Sequence, residues 1–228
     1  MNTWPELLLI NKPVGISSFD VIRRLRKEYT ETYGTKAPKM GHAGTLDPAA
    51  SGLMLIGVGT GTKSLSEHIK LDKEYVAEVL LGRSTTTGDV EGEVLAEAPE
   101  VVVTTEAVTA AVQQLVGTNR LPVSAYSAIK KDGVAMYKRA RAAAKLGELV
   151  HDVPVRDMVV HEAEFLGLEQ TTDGKCMVAT VRFLVGSGTY IRSLGEELGR
   201  RLGCPASLQA LQRTKVGAFS LKDARTLK

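Results

Sequence analysis

Met40-Gly-His-Ala-Gly-Thr-Leu-Asp-Pro-Ala-Ala-Ser-Gly-Leu-Met54 is too rich in glycine for a helix and too interrupted for a single strand. Pro48 follows Asp47 and pushes that residue out of the α region into extended backbone. Gly41, Gly44 and Gly52 open backbone angles closed to other residues. The stretch is therefore a loop, and it carries Asp47 between apolar flanks with His42 nearby. Two readings compete for the carboxylate. It bonds its own backbone in an Asx-turn, or it is held out on a loop for chemistry. The loop alone does not separate them.

The chain around it has 228 residues, 43% hydrophobic and 24% charged, which is ordinary for a globular protein and long enough to bury a core without staples. The net charge of +3 permits a nucleic-acid partner without demanding one. Its distribution says more. Lys12, Arg23, Arg24, Arg26, Lys27, Lys36 and Lys39 face only Asp20, Glu28 and Glu31 in the first basic segment. Arg120, Lys130, Lys131, Lys138, Arg139, Arg141 and Lys145 face Asp132 alone in the second, and Asp89 to Glu106 is purely acidic. A basic face is one reading and solvated helix faces the other. Cys176 and Cys204 form neither a CxxC nor a cluster with the histidines, so neither a zinc site nor a disulfide framework is expected. No apolar run of about 18 residues and no signal-peptide pattern is present, which predicts a cytoplasmic protein without a membrane partner.

Leu7 to Ile10 reads as a buried strand ending in the Asn11-Lys-Pro-Val-Gly15 turn. Ser17 to Asp20 has capping-box form, which predicts a helix from Phe19 to about Tyr29 with Phe19, Ile22 and Leu25 inward, then a polar loop from Thr30 to Lys39. Gly52 to Val58 is β-prone, and the glycines from Gly57 form a strand-to-helix turn, since a Walker A loop would need glycine at Thr62. Lys73 to Leu81 predicts a strand with Tyr75, Ala77, Val79 and Leu81 on one face, followed by a hydroxyl-rich loop to Gly92. Val108 to Val116 follows a helical period after a Thr104 or Thr105 cap, with Gly117 closing it. Pro122 to Lys130 reads as extended, Lys131 to Gly133 as a turn, and Val134 to Lys145 as a basic helix. Val155 to Leu168 and Lys175 to Val185 predict a hairpin, Tyr190 to Leu202 a helix stopped by Gly203, and Lys215 to Leu221 a last strand. One continuous α+β domain over 1–228 is the economical organisation.

Familiar catalytic sets are missing. There is no Gly-x-Ser-x-Gly elbow, Phe165 stands where a zincin helix needs its second histidine, and no second acid lies close to Asp47. What remains is a loop aspartate, a nearby histidine, the strand tyrosine Tyr75, and Tyr190-Ile-Arg192 behind a glycine loop.

Gly41 to Gly52 resembles the catalytic motif of the TruB-type tRNA pseudouridine synthases. Further blocks agree in order. Leu9 to Ser18 is similar to that family's Lys-Pro-x-Gly signature, Lys73-Glu-Tyr75 to its tyrosine motif, and Leu81 to Gly92 to its Leu-Gly-x-x-Thr-x-Thr-x-Asp-x-x-Gly pattern. Tyr126 to Gly133, Gly188 to Arg192 and Leu211 to Gly217 match three more, so the resemblance runs from about residue 7 to 221. Val123-Ser124 replaces a Pro-Pro pair, and Gln212 stands where a second arginine is common. Many members continue into a small C-terminal RNA-binding (PUA-type) domain, and none is expected within these 228 residues.

The resemblance implies a pseudouridine-synthase-like core, a mixed and largely antiparallel sheet flanked by helices with an active-site cleft across it. It implies isomerisation of a T-loop uridine of tRNA to pseudouridine by base flipping, with tRNA (the T-stem-loop) as partner, no metal or cofactor, and a monomer. Asp47 would attack C1′ or abstract a ribose proton, and Arg192 would keep it ionised. Tyr75 would stack on the flipped uracil, Tyr190 and Leu211 would line the pocket, and His42 would brace the vacated stack. Lys12, grouped with the substrate side, would support the loop together with Pro13. An RNA-binding tRNA folding factor with little turnover is the alternative from another class.

Overall fold

Residues 4–227 are described by a computed structural model. In chain order the elements are β1 (Leu7–Lys12), α1 (Ser18–Tyr33), β2 (Met40–His42), β3 (Ala50–Val58), a 3-10 turn (Gly59–Lys63), α2 (Leu65–Ile69), β4 (Lys73–Leu81), β5 (Arg83–Thr85), β6 (Val94–Glu97) and α3 (Thr105–Gln113). There follow β7 (Gly117–Pro122), β8 (Lys130–Lys131), β9 (Val134–Ala135), α4 (Met136–Ala144), β10 (Val155–Gln170), β11 (Met177–Val185), α5 (Ile191–Leu202), β12 (Ala206–Val216), β13 (Phe219–Ser220) and β14 (Arg225–Thr226). The fold is α+β, with a mixed sheet in which antiparallel pairings predominate. Contacts group into two compact units, one of residues 4–76 with 211–227 and one of residues 77–210. β4 and β12 each run from one unit into the other. Among the described residues no helix is long and apolar enough to cross a membrane.

The first unit is ordered β14-β1-β3-β12, with β2 also on β3. β1 and β3 are antiparallel, with Lys12 opposite Gly52, whereas β3 and β12 are parallel, with Arg213 opposite Gly52. Period-two alternation sends Leu8, Ile10 and Lys12 of β1 to one face. Leu7 and Leu9 go to the other, where they pack on Ala43, Leu53, Leu55, Leu65 and Val216. The capping box forms as expected: the Ser17 side chain accepts from Asp20 N–H, and the Asp20 carboxylate accepts from Ser17 N–H. The helix then differs from expectation in two ways. Its buried stripe is Ser18, Val21, Ile22 and Leu25, which follow the 3.6 period, while Phe19 falls off that stripe and is 57% exposed. It also runs on to Tyr33, where Gly34 closes it at φ 65°, so the polar loop starts later than Thr30.

In the second unit the order is β4-β11-β10-β7, with α3 packed on β10 and α5 against α3 and β7. β10 and β11 form the expected hairpin, with irregularities at Val160/Glu162 and Phe165/Gly167. Thr104 caps α3, but the helix ends at Gln113 rather than at Gly117. Gly117, at φ 107°, instead opens β7 against Val160. Residues 123–129 form no strand, contrary to the extended reading, and Asp132 (φ 51°) with Gly133 (φ 78°) closes the β8–β9 hairpin in the geometry of a type I′ turn. The largest departure is the last long strand. β12 begins at Ala206, nine residues before the predicted Lys215, and the short β13 follows it after the Gly217 turn.

Candidate active site

Asp47 lies in the loop between β2 and β3, half-buried. Ala50 N–H donates to the Asp47 carbonyl (3.1 Å), so Asp47 and Pro48 take the first and second places of a β-turn closed by main chain. The backbone therefore does not need the carboxylate to close this turn. Both neighbours of Asp47 are tied down. The buried Ser18 hydroxyl accepts from Leu46 N–H (2.8 Å) and donates to the Leu46 carbonyl (2.8 Å). On the other side, the Pro48 carbonyl accepts from Gly15 N–H (2.8 Å) and from the Lys12 ammonium (3.3 Å).

Lys12 is fully buried and also donates to the carbonyls of Pro13 (2.9 Å) and Ile16 (2.7 Å). A buried ammonium saturated by carbonyls holds the 13–16 turn and Pro48 as one piece. Its place is among the main-chain carbonyls of the 13–16 turn and of Pro48. Leu211, half-buried on β12, is paired in register with Ala50, and Tyr75 is buried on β4. His42, Asp47, Lys12, Tyr75 and Leu211 thus all belong to the first unit.

The residue missed in the sequence is Arg213. It is 1% exposed, with Nε donating to the Leu53 carbonyl (2.7 Å) and Nη2 to the Gly44 carbonyl (3.3 Å), so it ties the two limbs of the loop. The signal was an arginine two residues after Leu211 in a block already matched, where only the leucine had been given a role. Burial and the Arg213 charge lower the His42 pKa, against a smaller opposing effect of the Gly44 backbone. His42 is therefore neutral at pH 7, and its buried Nδ1 has no hydrogen-bond partner among the described residues. Lys73 is buried as well, and burial followed by Arg213 repulsion brings it down to about 8, although Asp72 acts in the other direction. Its ammonium donates to Ile69 and Leu71 carbonyls, pinning the turn that precedes Tyr75.

Arg192 and Tyr190 belong to the second unit, at the N-terminal end of α5. Arg192 is 5% exposed; Nη1 donates to the Thr87 carbonyl (2.8 Å) and the Ser124 hydroxyl (2.8 Å), and Nη2 to the Tyr126 carbonyl (3.0 Å). Its Nε lies 3.7 Å from Asp89, whose carboxylate is held by Thr87 Oγ1 and Glu91 N–H. The serine that replaces the expected Pro-Pro pair is thus part of the arginine's cradle.

A family model described as TruB family pseudouridylate synthase (N terminal domain) matches residues 30–191. The chain belongs to the TruB family. Within it, the tRNA pseudouridine synthase B of Corynebacterium efficiens is 41% identical over 218 residues, covering 96% of this chain and 69% of that protein. The Ralstonia nicotianae protein of the same name is 41% identical, with 97% and 66% covered, and that of Thermobifida fusca 39%, with 97% and 72%. The chain therefore spans about two thirds of the length of these TruB relatives. A chain in a Cbf5-Nop10-Gar1 complex matches 97% of it at a TM-score of 0.69 and 24% identity, covering 52% of that chain. One in an H/ACA RNP bound to a substrate RNA containing 2′-deoxyuridine matches 97% at 0.67 and 22%, covering 50%. These two carry the same fold, the pseudouridine-synthase core that the motifs implied.

Proposed function

We propose that this chain is a tRNA pseudouridine synthase that converts a T-loop uridine to pseudouridine, acting as a monomer on the T-stem-loop. The observation that carries the reading is the Asp47 loop: a half-buried carboxylate in a TruB-family chain, fixed on both sides by buried Ser18, Lys12 and Arg213. Such anchoring sets the aim of the carboxylate before substrate arrives, which is how positioning accelerates a reaction.

In the proposed reaction the C1′–N1 bond of the flipped uridine breaks, either by Asp47 attack on C1′ or through loss of a ribose proton to Asp47. The uracil turns and C5 bonds to C1′, which displaces the Asp47 carboxylate in the first route or is accompanied by return of the ribose proton from Asp47 in the second; C5 then loses its proton and N1 gains one, so the overall change is an isomerisation. Tyr75 offers a ring on which uracil stacks, Tyr190 and Leu211 line its pocket, and neutral His42 fills the vacated stack without an added charge. The family resemblance assigns Arg192 the part of the cation that keeps the catalytic carboxylate ionised.

Tritium release from 5-tritiated uridine in a T-stem-loop RNA tests this directly. Asp47→Asn should reduce turnover below detection while leaving RNA affinity within about three-fold, since only the reacting group is altered. Turnover by Asp47→Asn near the wild-type rate would remove the assignment. Arg192→Lys should lower kcat by about 100-fold or more, because an ammonium cannot hold Thr87, Ser124 and Tyr126 together as the planar fork does.

A further inference from the structure

Phe19 is the residue that most plainly disobeys its sequence pattern. Expected in the core, it is 57% exposed, and Val14 at the other side of the same turn is 62% exposed. These two apolar side chains bracket the 15–18 segment, and that segment is what holds both neighbours of Asp47. Gly15 N–H donates to Pro48, and Ser18, adjacent to Phe19 in the chain, makes both bonds to Leu46. An exposed aromatic is thus fixed one residue from the anchor of the catalytic loop.

Its position on α1 supplies the second observation. Phe19, Arg23 and Lys27 recur at i, i+4 and i+8, so they lie along one helix face, and all three are exposed. Arg23 pairs with Asp20 and Lys27 with Glu31 (3.7 Å), both partners on the same helix. The cations still outnumber the acids between Lys12 and Lys39. A ring at the loop end of a cationic stripe matches single-stranded RNA, whose bases present π-faces and whose backbone presents phosphates. An apolar protein partner would not call for the charges that continue the stripe.

We propose that Phe19 is a stacking platform for a nucleobase next to the target nucleotide, with Arg23 and Lys27 along the adjoining phosphates. The inference rests on the reading of the chain as an RNA pseudouridine synthase and adds a substrate subsite to it. Base stacking on aromatic side chains is sequence-tolerant, so this subsite raises affinity for loop RNA without selecting a particular base.

The experiment measures KM, kcat and equilibrium affinity on a T-stem-loop RNA for the wild-type chain and for Phe19→Ala, Phe19→Leu and Phe19→Trp, with Tm for each. Phe19→Ala should raise KM and weaken affinity about ten-fold, with kcat within about two-fold. Phe19→Trp should match or tighten wild-type affinity, and Phe19→Leu should resemble Phe19→Ala. Tm should not fall in Phe19→Ala, because an exposed ring contributes little burial and alanine is the better helix former. A drop in Tm with unchanged affinity would make Phe19 structural and overturn the proposal. So would wild-type affinity in Phe19→Leu, which would mean that generic apolar contact suffices. Absence of turnover in the wild-type chain would overturn the enzymatic reading instead, while the affinity series still decides whether Phe19 stacks on RNA.

Discussion

Lys73 is a group whose charge state the surroundings disturb strongly, at about 8 against the ordinary 10.5. Burial and the Arg213 guanidinium oppose its ammonium, so the folded chain gives up the proton before the unfolded chain does. Between those two values the unfolded state binds more protons, and stability rises with pH. Urea titrations should show the wild type gaining about 1–2 kcal/mol between about pH 8 and about pH 9.5 relative to Lys73→Met, which lacks the titrating group. Parallel pH profiles for the two proteins would mean that Lys73 titrates normally. The contrast between Asp47 and Arg213 shows what was readable at this scale. Asp47 was legible because glycine, proline and a carboxylate in one loop have few uses. Arg213 was not, because a strand arginine is ordinarily solvent-exposed, and nothing in Gln212-Arg-Thr214 announces that its partners are the carbonyls of Gly44 and Leu53.

At the scale of elements, the parallel contact of β3 with β12 decides how the loop is held. Gly52 sits opposite Arg213 with φ 109°, and a Cβ there would collide with the Arg213 carbonyl and lie 2.7 Å from its amide nitrogen. Both effects act together, a backbone angle that L side chains avoid and a clash with main chain that cannot rotate away. Gly52→Ala should therefore destabilise the fold by about 3 kcal/mol or more, read as a lower urea midpoint at an unchanged m-value. Stability within about 0.5 kcal/mol of wild type would show that the two strands separate without cost. The start of β12 escaped the sequence pattern for a related reason. Its buried positions include Ala206, Ser207, Leu208, Arg213 and Val216, so neither period-two alternation nor an apolar run marks it. α1, by contrast, announces its start through Ser17 and Asp20 and hides its end, since the polar stretch around Gly34 has the composition of a loop. Caps made of side chains are visible in a sequence; a partner strand that tolerates a buried cation is not.

The whole molecule carries a net charge of only +3, yet 14 of its 29 lysines and arginines fall in two stretches with few acids, Lys12 to Lys39 in the first unit and Arg120 to Lys145 in the second. Phosphate contacts release condensed counterions, and each one adds about −0.7 to −0.9 to the slope of log affinity against log salt. A protein with scattered, self-paired charges would show almost no slope, whatever its net charge. Several of the cations here have acidic partners, as Arg139 has Asp132 and Lys131 has Asp152, and the exposed carboxylates of those pairs leave them worth little. Such pairs yield readily to phosphate, so the exposed cations of both stretches remain available to RNA, whereas the buried Lys12 does not. Affinity for a T-stem-loop RNA should fall by about one to two orders of magnitude between about 50 mM and about 200 mM salt. Replacing Arg24 and Lys27 together by glutamine should reduce the slope by about one to two units and leave kcat unchanged, because phosphate contacts orient the RNA and take no part in the bond changes at C1′. A slope that is flat in the wild type, or unmoved in the double variant, would place the RNA away from this helix.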